Sequence, residues 1–511
     1  MDKQAVLRVK IMKKTIALLI SVVMTCSVLA SCGGKSDSSS GKTSSGTSSG
    51  SSSAVDEGPK FEADNTPIET KETPLPDLTE VKNEYDTNKA DIDVMLEKIS
   101  KEKERPCINI TTQSGEKIKT KDHYVASVID VFNCDDSFRL TAEGGVKVRG
   151  NSTADQGDEK PYRIKFQDKH NMLGLHSGEE YRSWVLLRSF WNLAPDYTAF
   201  NLAKEIFNGE YYSTDFMYVN VFVNGDPKGI YVLCEQNQAV KGRAEVNEPK
   251  EGDTEVETGY FIEMDNYPDD DHPFFTLDYE QAEIEDIAGE TRQFTSAEYS
   301  LHSDIYTQGQ LDFIEQYTKG IYKILYEAAV NDKAMKFDSA YNVVDADGIS
   351  AQEAVENVID LKSLANMLIL EELVHNYDVG EGSFYMAIDL GEDSNYPKFT
   401  FFAPWDFNWA YEGNPSGGYY AATFQPEVGS QDRSNPWFIT AMKADWFVQI
   451  VKDRWQELSD KDAIKTACKK VLDDAELLKN DLGEEEWKID KAYDIVGFVY
   501  GRADFLDGEW K

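Results

Sequence analysis

Between about residues 105 and 280 the chain alternates apolar and polar positions with the period of two that a half-buried strand requires. Val146-Lys147-Val148-Arg149 and Tyr162-Arg163-Ile164-Lys165-Phe166 each set two cations on one face and apolar side chains on the other. Tyr218 to Val223 and Gly229 to Leu233 predict a hairpin whose five-residue loop opens on Asn224-Gly225. One helix is expected among these strands, Tyr197 to Phe207, with Ala199, Leu202, Ala203 and Ile206 on one side. Beyond about residue 300 the period lengthens, and Leu311, Ile314, Thr318, Ile321 and Leu325 form a helical stripe. Asp360 suits the N-cap of a helix over Leu361 to His375, whose wide apolar surface predicts burial. Trp437 to Leu478 reads as further helices. The expected class is α+β, with a β-rich half over about 105–285 and a helical half over about 300–511.

The first residues follow a different pattern. Lys3, Arg8, Lys10, Lys13 and Lys14 precede an apolar run from Ile16 to Ala30, as in a secretory signal over residues 1–31. The run closes on Leu29-Ala30-Ser31-Cys32, which resembles the bacterial lipobox and makes Cys32 the expected lipidated N-terminus. A Ser/Gly/Thr tract follows to Ser53, and the chain stays polar and Pro-dotted to residue 78. Such a stretch, 32–78, reads as a flexible tether for a domain over 79–511. The expectation is an extracytoplasmic protein held to the cell membrane by a lipid.

Charge narrows the partners. The 511 residues carry 52 Lys and Arg against 92 Asp and Glu, a net charge of −40. Removing residues 1–31 takes five bases and one acid, leaving −44. Nucleic acid is bound by releasing counterions to Lys and Arg, so it is excluded as a general partner. The chain is expected to be a monomer. Of six Cys, four follow Cys32 without a C-x-x-C pair, which is no zinc pattern. Buried free thiols are the plain expectation, with one bridge permitted outside the cell.

Three segments hold candidate chemistry. Arg149-Gly150-Asn151-Ser152-Thr153, with Arg163 and Lys165 beyond it, could approach an anion through backbone amides and fixed cations. An ordinary exposed hairpin fits the same residues. Asp378, in Asn376-Tyr377-Asp378 just past the apolar helix, is placed to orient a hydroxyl, or simply ends the helix in an Asx turn. Asp406 lies within the apolar Phe402-Ala403-Pro404-Trp405-Asp406-Phe407-Asn408, where a divalent cation or a capped turn would satisfy it. No H-E-x-x-H, G-x-S-x-G or Walker A string occurs.

Taken in order, these segments resemble the CotH family, the spore coat protein H-like atypical kinases, over roughly residues 105–460. Val146 to Thr153 with Lys160-Pro161-Tyr162-Arg163-Ile164-Lys165-Phe166 is similar to R-G-N-S…K-P-Y-x-I-K-F. Trp184 to Leu187 matches W-x-L-L, and Asn224-Gly225 through Glu235 matches N-G-x-x-x-G-x-Y-x-L-x-E. Gly259 to Asp265, Glu372 with Asn376 and Asp378, and Pro404 to Phe407 complete the set. The resemblance implies a two-lobed kinase-like fold that moves the ATP γ-phosphate, with Mg²⁺, to Ser or Thr of a protein partner at the cell surface or in the envelope. It implies Lys165 as the phosphate-contacting lysine and places Arg149 and Glu235 in the nucleotide cleft. Asp378 becomes the catalytic carboxylate, and Asp406 the metal-binding one. At the fifth position after Asp378, where ordinary kinases carry a metal-binding Asn, this chain has Ser383. After Asp406 it has Asn408, where relatives often carry Asp.

Two other classes stay open. A non-catalytic adhesion or assembly module on the same fold fits the tether, the aromatic content and the Ser383 and Asn408 departures. A glycosidase using two carboxylates has only composition behind it.

Overall fold

The computed structural model describes residues 60–69, 72–150, 152–155, 157, 160–188, 192–266, 272–280, 282–426 and 433–511. The expected leader, Cys32, most of the tether and Asn151 lie outside the described residues. Residues 57–511 group as one compact unit.

Seven strands close into a barrel: β1 (Cys107–Thr112), β2 (Val125–Phe132), β3 (Leu140–Val148), β4 (Tyr162–His170), β5 (Tyr181–Leu187), β6 (Phe216–Val223) and β7 (Asp226–Glu235). Their order is β1-β2-β3-β4-β5-β7-β6, antiparallel throughout except where β6 meets β1 in parallel. Alternation fills the interior with Val146, Val148, Ile164, Phe166, Trp184, Leu186, Tyr231 and Leu233. Lys147, Arg163 and Lys165 therefore project from the outer face.

The expected hairpin forms with a shorter turn. Val223 pairs with Asp226 across Asn224 (φ 53°) and Gly225 (φ 80°), a two-residue turn in place of five residues. Two positive φ values match the right-handed twist of the strands, which is why Asn-Gly closes hairpins tightly. Val221 pairs with Gly229 and Phe222 with Pro227, so Lys228 is the extra residue of a bulge beside Pro227, which has no N–H to donate.

Helices cover part of the barrel. Helix α1 (Thr79–Glu102) packs Val81, Tyr85 and Ile92 on Ala126 and Val128, so β2 is buried on both faces. Helix α2 (Ala194–Phe207) lays Ala199, Phe200 and Ala203 against the outer side chains of β5, β6 and β7. The outer face of β3 and β4 meets instead the segment Glu72 to Leu75 and a cavity.

After the barrel come β8 (Gly259–Met264), β9 (Phe274–Leu277), a small ladder of β10 (Ile284–Glu285) with β11 (Thr291–Arg292), and β12 (Ala297–Leu301). A second ladder pairs β13 (Met335–Phe337) with β14 (Val343–Asp345), and β15 (Phe384–Asp389) and β16 (Thr400–Phe401) follow. A five-stranded antiparallel sheet runs β16-β15-β8-β12-β9. Thus the half expected to be helical contributes two strands to this sheet. Both are short and wholly buried, so they lack the alternation that marks a strand in sequence.

Helices α3 (Gln308–Asn331), α4 (Ala351–Glu356) and α5 (Leu361–Val374) precede β15, and α6 (Pro436–Ala441), α7 (Asp445–Asp460), α8 (Ala463–Glu476), α9 (Lys479–Leu482) and α10 (Trp487–Trp510) end the chain. Asp360 caps α5 as expected, accepting from the Ser363 N–H, and every residue of α5 except Lys362 is buried. The molecule is α+β, as the sequence indicates. No helix among the described residues is long and apolar enough to cross a membrane. Cys107, Cys134, Cys234 and Cys468 are free thiols.

Candidate active site

A cavity of about 730 Å³ opens where the outer face of β3 and β4 meets the loops that follow α5 and β16. One wall is basic. Lys147 and Arg163 face each other across the strand pair, and Arg149 and Lys121 stand beside them. Like charges directly opposed on a sheet repel, and an anionic group beside the pair would relieve that repulsion. The Lys147 ammonium donates to the Thr73 hydroxyl at 3.2 Å and lies 5.0 Å from the Tyr124 ring centre. The Arg163 Nε is buried with no hydrogen-bond partner among the described residues. Arg149 lies over the Trp405 ring at 5.4 Å.

The opposite wall is acidic: Glu263, Asp265, Asp378, Glu381 and Asp406. Burial, and then the nearby charge of Asp406, push the Asp378 carboxyl up to about 7 against the pull of Arg433. Burial also raises Asp406, while Arg149 lowers it and Glu263 raises it. Asp196, in the first turn of α2, is pushed to about 7 by burial and Asp406, although it accepts the Phe407 N–H at 2.8 Å. The charge of Asp406 thus raises both Asp378 and Asp196. Glu263 behaves oppositely. Burial works to raise it, but His302, with Nε2 2.6 Å away, then Tyr385 and His272 hold it low.

The Asp378 loop is fixed from below by buried polar groups. Glu372 on α5 accepts the N–H groups of Tyr420 and Ala422 and pairs with Arg502 at 2.7 Å. Glu371, buried and near Asp378 and Glu372, is pushed to about 8. His375 ends α5 in the left-handed region, donates from Nδ1 to the Glu412 carbonyl and stacks on Tyr420. Its Nε2 is buried without a partner among the described residues, and burial drives it down to about 3. Ser383 (φ 56°) and Asp406 (φ 61°) also occupy the left-handed region, a strain of roughly 1–2 kcal/mol each for an L residue.

The expected site residues divide into two groups. Arg149, Asp378, Ser383, Asp406 and Asn408 meet at the cavity. Lys165 is outside its lining and pairs with Glu72, although it lies on the same outer face. Glu235 is also outside. It is fully buried between Arg243, at 2.9 Å, and His176, at 3.1 Å, and accepts the Asp215 N–H. Its chain neighbours Gln236 and Asn237 reach the cavity instead. Glu235 is the last residue of β7 and shares the inward parity of Tyr231 and Leu233, whereas Gln236 and Asn237 lie beyond the strand's end.

Residues the sequence did not single out are Asp196, Glu381, His302 and Arg433. Arg433 pairs with both Asp378 and Glu381 and lies 4.0 Å over the Tyr377 ring. Nothing local marks it, since 55 residues separate it from Asp378.

Among the described residues no group of three His, Cys, Asp or Glu side chains is arranged to hold a metal ion. Mg²⁺ needs less from the protein, because it is usually held by one or two carboxylates and the phosphates it accompanies. The donor set fits that use. Asp406 accepts from the Asn408 amide at 2.7 Å, leaving the buried Asn408 Oδ1 without a hydrogen bond. Hard oxygen donors and unbalanced negative charge are what such an ion requires.

A search of curated proteins returned no significant match. A family model described as CotH kinase protein matches residues 146–494, about two thirds of the chain, from β3 to within α10. Apart from Lys121, the charged residues of the opposed walls lie inside this span with the ordered motifs that build them, and the chain belongs to the CotH kinase family.

Proposed function

We propose that this protein is a membrane-tethered, extracytoplasmic protein kinase that transfers the γ-phosphate of ATP to Ser or Thr of a protein partner. In this reading the barrel and the helical half serve as the two lobes of a kinase-like fold. The observation that carries it is one cavity with a cationic wall facing Asp378 and Asp406. Phosphoryl transfer asks mainly for positioning and for neutralisation of phosphate charge. Lys147, Arg149 and Arg163 would bind the triphosphate. Asp378 would accept the proton of the acceptor hydroxyl as its oxygen bonds phosphorus and ADP leaves. Asp406 and Asn408, with Ser383 nearby, would hold Mg²⁺, which supplies charge neutralisation on the phosphate oxygens.

A second reading, a non-catalytic surface module, is favoured by Ser383 and Asn408 at positions where kinases use stronger metal ligands. Incubating the full chain in detergent with γ-labelled ATP, Mg²⁺ and dephosphorylated casein separates the two. Label transfer by the wild type and not by Asp378→Asn supports the kinase. No thermal shift with millimolar Mg-ATP, and no transfer, would sink it.

A further inference from the structure

We propose that Arg433 is a positioning residue for phosphoryl transfer, a fixed guanidinium that holds Asp378 in line for the acceptor hydroxyl. This rests on the kinase reading of the cavity.

The contact is bidirectional and rigid. A single guanidinium nitrogen, Nη1, reaches Oδ1 of Asp378 and, at 2.6 Å, Oε2 of Glu381. It bridges the two ends of one loop turn and takes only one oxygen of Asp378, so the pair does not consume the whole carboxylate. The guanidinium plane lies over Tyr377, with its carbon 4.0 Å from the ring centre. A planar fork suits this combination of stacking and bridging, and an ammonium does not.

The segment behind Arg433 is braced against the same loop. Asn435 is fully buried, donates to the Val379 carbonyl at 2.8 Å and caps α6 through the Trp437 and Phe438 N–H groups. Ser434 is buried and accepts the Gln425 N–H. The backbone of Arg433 and Ser434 passes so near Gly380 that a Cβ there would sit 2.2 Å from the Ser434 carbonyl oxygen. Backbone, side chain and stacking contacts from 433–435 thus converge on residues 377–381.

The need for such a brace follows from charge. Asp378 faces Asp406 and Glu381, and like charges would turn its carboxylate aside in the absence of a cation. Arg433 supplies that cation, as an ion-pair partner of Asp378. The basic wall belongs to other strands and, in the kinase reading, is committed to phosphate.

The test uses the full chain in detergent with γ-labelled ATP, Mg²⁺ and dephosphorylated casein, beside equilibrium binding of a fluorescent ATP analogue. Arg433→Ala is expected to lower kcat on the order of tenfold to a hundredfold while nucleotide affinity stays within about twofold. Guanidinium ion at millimolar concentration should restore part of kcat in Arg433→Ala and leave Asp378→Asn inactive. Arg433→Lys, which keeps the charge, should fold with an unchanged Tm and still lose kcat. Wild-type kcat in Arg433→Ala, or equal loss of binding and turnover without rescue, overturns the proposal while leaving the kinase reading intact. If Arg433→Ala does not fold, full activity in Arg433→Lys overturns it. No transfer by the wild type overturns both.

Discussion

The carboxyl of Asp378 illustrates how single residues here are set by their surroundings. An exposed aspartate is ionised at neutral pH, but burial and Asp406 bring this one to about 7. Proton acceptance needs the ionised form, so kcat/KM should rise with pH and level off above about 7. A flat profile between pH 6 and 8 would contradict this. His375 has the opposite sign. Its folded value of about 3 lies below the ordinary 6.5, so below pH 6.5 the unfolded chain binds a proton that the native site refuses. Stability is then lost as pH falls, by about 2 kcal/mol at pH 5. His375→Phe should show a smaller fall in Tm between pH 7 and pH 5 than the wild type. Ser383 sits at φ 56°, a conformation Asn tolerates better than Ser. Ser383→Asn should strengthen Mg²⁺-dependent nucleotide binding severalfold without lowering Tm, as read by titration of Mg²⁺ against the fluorescent analogue. At this scale Asp378, Asp406 and Arg149, each of which stands out in the sequence beside an apolar or glycine-bearing context, come together at one cavity. It had no means of marking Arg433, whose partners are remote along the chain.

Among elements, α5 carries the most. It is buried almost all round and carries two glutamates, of which Glu372 is paired while Glu371, with Oε2 buried and without a hydrogen-bond partner among the described residues, is pushed by burial to about 8. Glu372 joins α5 to α10 through Arg502, both fully buried. Removing one member of such a pair leaves a bare buried charge, so Glu372→Ala should cost roughly 3–5 kcal/mol in urea unfolding. A cost below about 1 kcal/mol would show that the pair is not structural. Gly380 tests the loop that α5 launches. Gly380→Ala forces a backbone shift at Ser434 and should reduce transfer more than it reduces nucleotide binding. The cap at Asp360, the α5 span and the strands β3 and β4 were legible from period and capping alone. The strands β15 and β16 were not, because a fully buried strand shows no period, and the turn at Asn224-Gly225 closes in two residues, not five, because Asp226 and Pro227 pair with Val223 and Phe222.

In the kinase reading, an acidic chain must bind an anionic ligand. With a net charge of −40, the protein would repel phosphate at long range, and the cations of β3 and β4 would overcome this only at close quarters. Binding of Mg-ATP should therefore tighten, not weaken, as salt rises from about 20 to 150 mM, at fixed Mg²⁺. The membrane link is proposed to be a lipid on Cys32, and Cys32→Ser should move the protein from the membrane fraction to the soluble one. Sequence by itself determined the α+β class, the cap and span of α5, the acidity and the ordered motifs, since these depend on residues close together in the chain. Only tertiary structure decided that seven strands close into a barrel, that β15 and β16 join β8, and that Glu235 turns away from the cavity. It also decided that Arg433 meets Asp378. Those outcomes depend on which faces become buried against remote parts of the chain, and local pattern does not encode them.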